Sequence, residues 1–338
     1  MSQTLTIAGM PGSPYTRKML AVLRYRRIAH QTVTQYTAED EALPKPKVPV
    51  IPYLIFPGED QARFDSTPLI RELDERYDVR TVRPADPALA FIDALIEDYA
   101  DEWLTKPMFH YRWAYQADAE QAAAILPRWS NTTLPENELQ ARGDLFAQRQ
   151  IDRLWVVGSN KTTGPLIEDS YRRLLDILDK VLTGQRFLLG SRPGAGDFAL
   201  FGQLTQLALF DPTPQKLTMR QAPRIVAWTQ WVDDLSGIQV KDDGFLPLSD
   251  TQDRLRPLLS EIGRVYAPVM LANAKALAKG HEQVICAIDG KEWVQKPFPY
   301  QAKCVKALRE QFNTLPPEAK QQVLDCLKGT GCKPLIQA

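Results

Sequence analysis

The hydrophobic and polar positions of the first eighty residues alternate between short strand-like runs and longer amphipathic runs. Leu5 and Ile7 show the alternation typical of a strand, and Met19, Val22 and Leu23 are spaced as one face of a helix. Strands are predicted at residues 5–7, 31–35, 53–56 and 62–64, and helices at residues 14–27 and 68–77. This order predicts a compact α/β domain with a mixed sheet over residues 1–82.

Beyond a proline-containing linker, the pattern changes to helical spacing. Apolar residues recur at every fourth position of one long helix, namely Phe91, Leu95, Tyr99 and Trp103. Helices are further predicted at residues 165–182, at residues 197–210 and after Pro223. Residues 117–163 are polar without a clear period, so short helices and loops are expected there. Residues 88–240 as a whole are predicted to form an all-helical domain.

Residues 241–338 have a third pattern, in which helices surround a predicted hairpin. Strand-like runs at residues 284–288 and 293–295 flank Asp289 and Gly290. An Asp-Gly pair tolerates the positive φ angles of a two-residue turn. Helices are predicted at residues 255–277, 300–312 and 317–328. The sequence therefore predicts a C-terminal extension with a β-hairpin and helices, added to the α/β and all-helical domains.

The charge balance argues against two classes of partner. The 338 residues include 41 Lys and Arg against 41 Asp and Glu, without the basic excess that binding to nucleic acid or anionic membrane needs. No apolar run approaches the ~20 residues of a membrane-spanning helix. The N-terminus lacks the charged start and apolar core of a signal peptide. We therefore expect a cytoplasmic protein that binds neither nucleic acid nor membrane.

The four cysteines lie in the last quarter of the chain, at positions 286, 304, 326 and 332. Their spacing contains no C-x-x-C pair, and Cys304 and Cys326 lie at helical spacing among apolar residues. Packing in the core is therefore favoured over a metal site. His110 has no serine or acidic partner placed by the sequence, and we interpret it as a structural histidine. No bound metal is expected.

Three short pieces carry candidate chemistry. Residues 13–18 (SPYTRK) place a hydroxyl where a helix begins, and residues 50–54 (VIPYL) place a proline turn before a strand. Residues 65–67 (DST) place an acidic and a hydroxyl side chain at a second helix start. Together these pieces suit one ligand, a small peptide with carboxylates and a thiol.

These pieces resemble motifs of the glutathione transferase superfamily, in the same order. SPYTRK resembles the active-site pattern C-P-[FY]-x-x-[RK] with Ser13 at the cysteine position, VIPYL resembles the cis-proline segment, and DST resembles the Glu/Asp-Ser pair. Residues 187–204 resemble the signature of the buried sixth helix, with Gly194 where that signature has Ser or Thr. The resemblance covers residues 4–240 and is closest to extended bacterial members. It implies a thioredoxin-like N-terminal domain, a helical C-terminal domain, glutathione as co-substrate and a homodimer.

Ser13 is the catalytic residue that the resemblance implies. A free thiol has a pKa of ~8.5 and is mostly protonated at neutral pH. A hydroxyl donor at a helix N-terminus lowers that pKa by hydrogen-bonding the thiolate. Alternatively, Ser13 only caps the helix that Pro14 begins, and both roles can hold together. Tyr15 is the alternative hydroxyl, and dithiol redox chemistry is excluded because neither Ser13 nor Thr16 is a cysteine.

The resemblance also implies the residues that bind glutathione. Ile51 would pair its backbone with the extended peptide if its bond to Pro52 is cis; Pro49 is the other candidate, but Pro52 has the better spacing to the third piece. Asp65 and Ser66 would hold the γ-glutamyl end, with the Ser66 hydroxyl and the helix N-terminal amides taking its carboxylate. The alternatives are ordinary loop prolines and a plain helix cap.

Trp103, Phe109, Tyr111 and Trp113 are candidates for an apolar acceptor pocket, although an aromatic stripe of this kind is also typical of a packed core. The implied enzyme would activate the glutathione thiolate for conjugation to, or displacement on, a small hydrophobic electrophile. Isomerisation or reductive cleavage at the same site is equally compatible. The alternative function is a non-catalytic binding or structural protein. Burial of Ser13 beneath residues 241–338 would favour that alternative, and an open cleft would favour the enzyme.

Overall fold

The N-terminal residues fold into a four-stranded sheet. A computed structural model describes residues 4–241 and 244–337. The strands are β1 (Leu5–Gly9), β2 (His30–Thr34), β3 (Tyr53–Ile55) and β4 (Ala62–Phe64). Strand β1 pairs parallel with β2 and antiparallel with β3, and β4 pairs antiparallel with β3, giving the order β2-β1-β3-β4. The mixed sheet predicted from the sequence is confirmed.

Helices cover this sheet with the apolar faces that the sequence marks. They are α1 (Pro14–Tyr25) and α3 (Ser66–Arg76), whereas the short α2 (Ala38–Glu41) is polar and buries only Asp40. Met19, Val22 and Leu23 of α1 are fully buried in the same core as β1. All five residues of β1 are buried, whereas the edge strand β2 has exposed positions. The sheet is therefore best covered at its centre, where β1 leads into α1.

The middle of the chain is helical. Its helices are α4 (Pro87–Glu102), α5 (Thr105–Ala114), α6 (Gln116–Ser130), α7 (Glu136–Ile151), α8 (Gly164–Val181), α9 (Ala195–Leu207), α10 (Pro212–Gln221) and α11 (Pro223–Val232). The prediction of short helices and loops over residues 117–163 is wrong, because α6 and α7 are both long. Both are rich in residues that favour helix, such as alanine, glutamine and arginine, without forming a strong apolar stripe.

Helix α9 lies between the α/β domain and the other helices. Every one of its residues is buried, and it packs against both α1 and α4. Gly202 permits the contact with α1, since a Cβ at that position would lie 2.5 Å from the carbonyl oxygen of Pro14. This close backbone approach fixes the start of α1 against the helical domain.

The extension begins with α12 (Leu248–Glu261), which runs through a π-helical turn (Ile262–Tyr266) into α13 (Ala267–Lys279). It continues with β5 (Val284–Ile288), β6 (Lys291–Gln295), α14 (Pro299–Thr314), α15 (Pro317–Cys326) and α16 (Lys333–Ile336). Asp289 and Gly290 have φ angles of 53° and 74°, so the predicted hairpin turn is confirmed. Helices α14 and α15 pack on α4. Within the described residues, no helix combines enough length with enough apolar character to span a lipid bilayer.

Candidate functional site

Strand register brings the three candidate pieces to one edge of the sheet. Ala8 of β1 pairs with Tyr53 at the start of β3, and Tyr53 pairs in turn with Phe64 at the end of β4. The segments that leave β1, enter β3 and leave β4 therefore emerge side by side. They carry the start of α1, the proline turn before β3 and the start of α3. We call this region the shared edge.

Ser13 is the N-cap of α1. Its backbone is extended, and its Oγ accepts a hydrogen bond from the Thr16 amide at 3.2 Å. Pro14 follows at the first helical position, where its fixed φ suits a helix start. Ser13 is half-buried. Because its oxygen acts as the acceptor in the cap, its hydroxyl hydrogen can be donated to an anion at the positive end of the helix.

The hydroxyl of Tyr15, the alternative to Ser13, is directed into the protein. It donates a hydrogen bond to the carbonyl oxygen of Asp101 at 2.8 Å. Burial, together with the carboxylates of Glu102 and Asp101, raises the pKa of Tyr15 well above its usual value. A phenol that is bonded to backbone and hard to ionise is a weaker candidate than Ser13 for donating to a thiolate.

The peptide bond between Ile51 and Pro52 is cis, so Pro52 rather than Pro49 is the cis-proline. This agrees with the spacing argument from the sequence. Pro52 is buried directly before β3, and Ile51 is half-buried. Val48 and Val50, just before them, are exposed. The backbone of Ile51 therefore lies beside an exposed stretch of chain at the shared edge.

A buried lysine holds the hydroxyl of Ser66. Lys18 of α1 donates from Nζ to Ser66 Oγ at 3.1 Å. The same Nζ lies 2.8 Å from Glu97 Oε1 and 2.6 Å from Asp101 Oδ2 on α4. Burial acts to lower the pKa of Lys18, but Asp101 and Glu97 outweigh it and raise that pKa above its usual value. Because Ser66 is the acceptor here, its own hydroxyl hydrogen is left for a ligand carboxylate.

Asp65 begins α3 in a conformation that few side chains adopt. Its φ is 78° and its ψ is 111°, a positive φ that costs on the order of 1–3 kcal/mol for a residue other than glycine. Its Oδ2 accepts a hydrogen bond from the Tyr300 hydroxyl of α14 at 2.6 Å. Backbone strain of this kind is concentrated at functional sites. Asp65 is therefore marked by geometry as well as by its sequence motif, and the extension reaches it.

The four aromatic candidates for an acceptor pocket lie in or against the core. Trp103, Tyr111 and Trp113 are at most 4% exposed, and Phe109 is half-buried. Trp103 packs against Trp293 of β6, with ring centroids 5.4 Å apart. These rings thus contact other protein groups in the structure, and their use as an acceptor pocket stays a prediction.

Two sequence families match this chain. Residues 7–81 match the family described as Glutathione S-transferase, N-terminal domain. Residues 137–230 match the family described as Glutathione S-transferase, C-terminal domain. Together the two matches span half of the 338 residues. The chain belongs to the glutathione transferase superfamily.

Solved structures include several similar proteins. A glutathione transferase family member from Pseudomonas fluorescens Pf-5, with two glutathione bound, is 16% identical over 68% of this chain and 88% of that chain, with a TM-score of 0.40. A glutathione S-transferase from Methylobacterium radiotolerans, in complex with glutathione sulfonate, is 14% identical over 72% and 100% of the two chains, with a TM-score of 0.41. The Tau class glutathione S-transferase from mango (Mangifera indica L.) is 16% identical over 74% and 96%, with a TM-score of 0.42. No curated protein matches this chain.

This member of the glutathione transferase superfamily has the thioredoxin-like N-terminal domain and the helical C-terminal domain that the sequence predicts. The matched segments end at residue 230. The extension, with its hairpin and Tyr300, therefore lies beyond the part of this chain that the family describes. Its contact with Asp65 is a feature of this chain's own structure.

Sequence reasoning missed the hydrogen-bond partners of His110. His110 Nδ1 lies 2.8 Å from Ser159 Oγ, and its Nε2 lies 3.3 Å from Glu168 Oε1. Tyr115 donates its hydroxyl to the same Glu168 oxygen at 2.5 Å. His110 and Ser159 are buried, and burial lowers the pKa of His110. A neutral imidazole with both nitrogens hydrogen-bonded suits a structural role, and partners 49 and 58 residues away leave no local signal.

The cysteines of the extension are mostly buried. Cys304, Cys326 and Cys332 lie in the hydrophobic core, and Cys286 is half-buried. Burial raises the pKa of Cys326 to about 11 and that of Cys332 to about 12. Protonated, buried thiols agree with the predicted packing role. Across residues 4–241 and 244–337, no three His, Cys, Asp or Glu side chains are grouped so as to hold a metal ion.

Proposed function

We propose that this protein binds glutathione along the shared edge and activates its thiol at Ser13. The backbone of Ile51 would pair with the extended tripeptide, and Asp65 and Ser66 would take its γ-glutamyl end. Superfamily membership supports the ligand. The observation that carries the catalytic role is the geometry of Ser13, whose oxygen accepts from the Thr16 amide while its hydrogen is left for a thiolate.

The proposed reaction is conjugation to, or displacement on, a small hydrophobic electrophile. The Ser13 hydroxyl and the N-terminal end of α1 stabilise the thiolate, and the thiol proton passes to solvent. The sulfur electron pair forms the new bond to carbon. In an addition, the π bond of the electrophile to that carbon breaks, and its electron pair takes up a proton from solvent. In a displacement, the leaving group departs with its bonding pair. The electrophile is proposed to bind beside the aromatic candidates, which are Trp103, Phe109, Tyr111 and Trp113.

Titration calorimetry with glutathione tests the binding step. Wild-type protein is expected to bind with micromolar to millimolar affinity. The Ser66→Ala variant is expected to bind more weakly, because it lacks the hydroxyl that donates to the ligand carboxylate. No heat and no thermal shift at millimolar glutathione would contradict the proposal.

Variants at Ser13 distinguish its role as a helix cap from its proposed role in activating the thiol. Glycine is a good N-cap, within a few tenths of a kcal/mol of serine, but carries no hydroxyl. Ser13→Gly is therefore expected to keep the melting temperature and to raise the pKa of the thiol of bound glutathione. Thiolate absorbance, recorded as a function of pH, measures that pKa. Ser13→Thr keeps both functions and is the matched control. A thiol pKa unchanged in the glycine variant would mean that Ser13 is only a cap.

A non-catalytic binding or structural role is the second candidate, and burial of Trp103 and Tyr111 favours it. In that case wild-type protein would leave the thiol pKa of glutathione at its solution value and would not accelerate conjugation to an aryl halide. We also propose that the protein is a homodimer in the cytoplasm, as other members of the superfamily suggest. Light scattering on a sizing column measures the assembly directly.

A further inference from the structure

The extension contacts the shared edge through one exposed aromatic residue. Tyr300 of α14 is 39% exposed, and its hydroxyl donates to Asp65 Oδ2 at 2.6 Å. The two residues are 235 positions apart in the chain. A second contact, from Arg71 of α3 to Gln311 of α14 at 3.3 Å, joins the same two helices further along the chain. Tyr300 therefore occupies the surface beside the start of α3.

Buried side chains anchor the backbone on both sides of Tyr300. The buried Asn273 side chain accepts a hydrogen bond from the Phe298 amide at 2.8 Å and donates one to the Phe298 carbonyl at 2.9 Å. On the other side, Gln301 is buried, and its side chain donates to the carbonyl of Glu102 at 3.5 Å. Tyr300 therefore belongs to a short segment that is hydrogen-bonded on both sides, and this restricts the position of its hydroxyl.

The hydrogen bond from Tyr300 also determines which groups the Asp65 carboxylate is free to bind. Within the described residues, the Asp65 carboxylate caps no amide of α3, so the first turn of that helix keeps N–H groups for a ligand carboxylate. Tyr300 engages Oδ2. The other oxygen and the remaining lone pairs can accept from a ligand cation. A carboxylate-binding helix start and an oriented carboxylate lie side by side, as an α-amino acid head group requires.

We propose that Tyr300 is a positioning residue that orients Asp65 to bind the α-ammonium group of a γ-glutamyl ligand. This inference rests on the proposed binding of glutathione at the shared edge. The ligand's α-carboxylate would lie at Ser66 and the amides of α3, and its ammonium at Asp65. The extension thereby makes the site selective for a free α-amino acid head group. A ligand with an acylated amine has no charge to place at Asp65 and gains nothing from its orientation.

Calorimetric titration with glutathione and with N-acetylglutathione tests this inference on the full-length protein. Wild-type protein is expected to bind glutathione at least about tenfold more tightly, because only glutathione keeps the ammonium. Tyr300→Phe removes one hydroxyl and is expected to weaken glutathione binding about threefold to tenfold. Binding of N-acetylglutathione should stay unchanged, so the selectivity ratio falls by the same factor.

Tyr266→Phe is the matched control, because Tyr266 is also in the extension and its hydroxyl bonds to a carboxylate, but to Asp98 of α4 rather than to Asp65. It is expected to lower the melting temperature without changing the selectivity ratio. An unchanged ratio in Tyr300→Phe, tighter glutathione binding in that variant, or an equal loss in Tyr266→Phe would each overturn the inference. Failure of wild-type protein to bind glutathione would instead overturn the proposed function, and this inference with it.

Discussion

Lys18 is the residue that ties the start of α3 to the helical domain. It is buried, it belongs to the SPYTRK motif, and it bonds at once to Ser66 and to Glu97 and Asp101 of α4. A buried cation is tolerated only where carboxylates surround it, and removing one partner leaves the others as uncompensated buried charges. Lys18 therefore contributes to the stability of the fold, a role that its position in the SPYTRK motif does not indicate.

Replacement of Lys18 by methionine is expected to cost about 3–5 kcal/mol in the free energy of unfolding, because Glu97 and Asp101 lose their buried counter-ion. Urea denaturation measures this change. Arg17→Met is the matched control on the same helix. Arg17 pairs with Asp233 at 2.8 Å, but both side chains are partly exposed, so about 1 kcal/mol or less is expected. Equal losses of stability in the two variants would contradict the stabilising role assigned to Lys18 between Glu97 and Asp101.

At the scale of elements, the start of α9 is capped by another helix. Gly194 lacks the side chain that usually caps, and Asp93 of α4 supplies the acceptors, to the amides of Ala195 at 2.9 Å and Gly196 at 3.0 Å. A Cβ at Gly194 would lie 2.5 Å from Asp93 Oδ1. Gly194 therefore leaves the room that the Asp93 carboxylate needs, and Asp93 in turn caps α9 and joins it to α4.

A double-mutant cycle tests this arrangement. Asp93→Ala is expected to destabilise the protein by about 2–3 kcal/mol, because two buried amides lose their acceptor. Gly194→Ser alone is expected to destabilise it as well, through the clash with Asp93. The double variant should be more stable than the sum of the two losses predicts, since the new serine caps the vacated amides. Strict additivity in thermal or urea unfolding would show that the two positions do not interact.

The elements that the sequence predicted best are those with a local cause. Asp289-Gly290 between two strand-like runs specifies its own turn, and Leu5, Ile7 and the face of α1 specify a buried strand and its helix. Helices α6 and α7 were missed because their helix-favouring composition lacks an apolar stripe. At the candidate site, the motifs located Ser13, Lys18 and Ser66, but nothing local signals that Lys18 bonds to Ser66, 48 residues away, or that Tyr300 bonds to Asp65, 235 residues away.

At the scale of the whole molecule, the extension covers acidic side chains of α4. Asp98 is bonded to Tyr266 of the extension, and Gln301 bonds to the backbone of Glu102. Burial raises the pKa of Asp98 to about 6 and that of Glu102 to about 8. Just beyond, burial lowers the pKa of Lys106 to about 8, and its Nζ donates to Gln295 of β6 at 3.2 Å. The interface therefore contains one carboxyl group, that of Glu102, that the fold keeps protonated at neutral pH, and a second, that of Asp98, that takes up a proton at about one pH unit lower.

The sign of the resulting pH dependence follows from Glu102. Its pKa is about 8 in the folded protein and about 4.3 in an unfolded chain, so between these values the folded state binds more protons. Its contribution to stability is therefore fully present below about pH 4 and is lost as pH rises to about 8, by up to roughly 1.4 kcal/mol per pH unit. Asp98 acts in the same direction over the lower part of this range. Lys106 acts in the opposite direction, but only above about pH 8.

Glu102→Gln is expected to flatten this dependence. Glutamine has the shape of the protonated glutamic acid, so the variant should match wild-type protein near pH 4 and exceed its free energy of unfolding at pH 7.5, where the wild-type chain must either bury a charge or take up a proton. Urea denaturation of the full-length protein at both pH values measures the difference. Glu282→Gln, at an exposed position, is the control and should leave the slope unchanged. If Glu102→Gln instead loses stability equally at both pH values, the carboxyl group is ionised in the folded protein, and the extension is held by charge rather than by protonated, hydrogen-bonded acids.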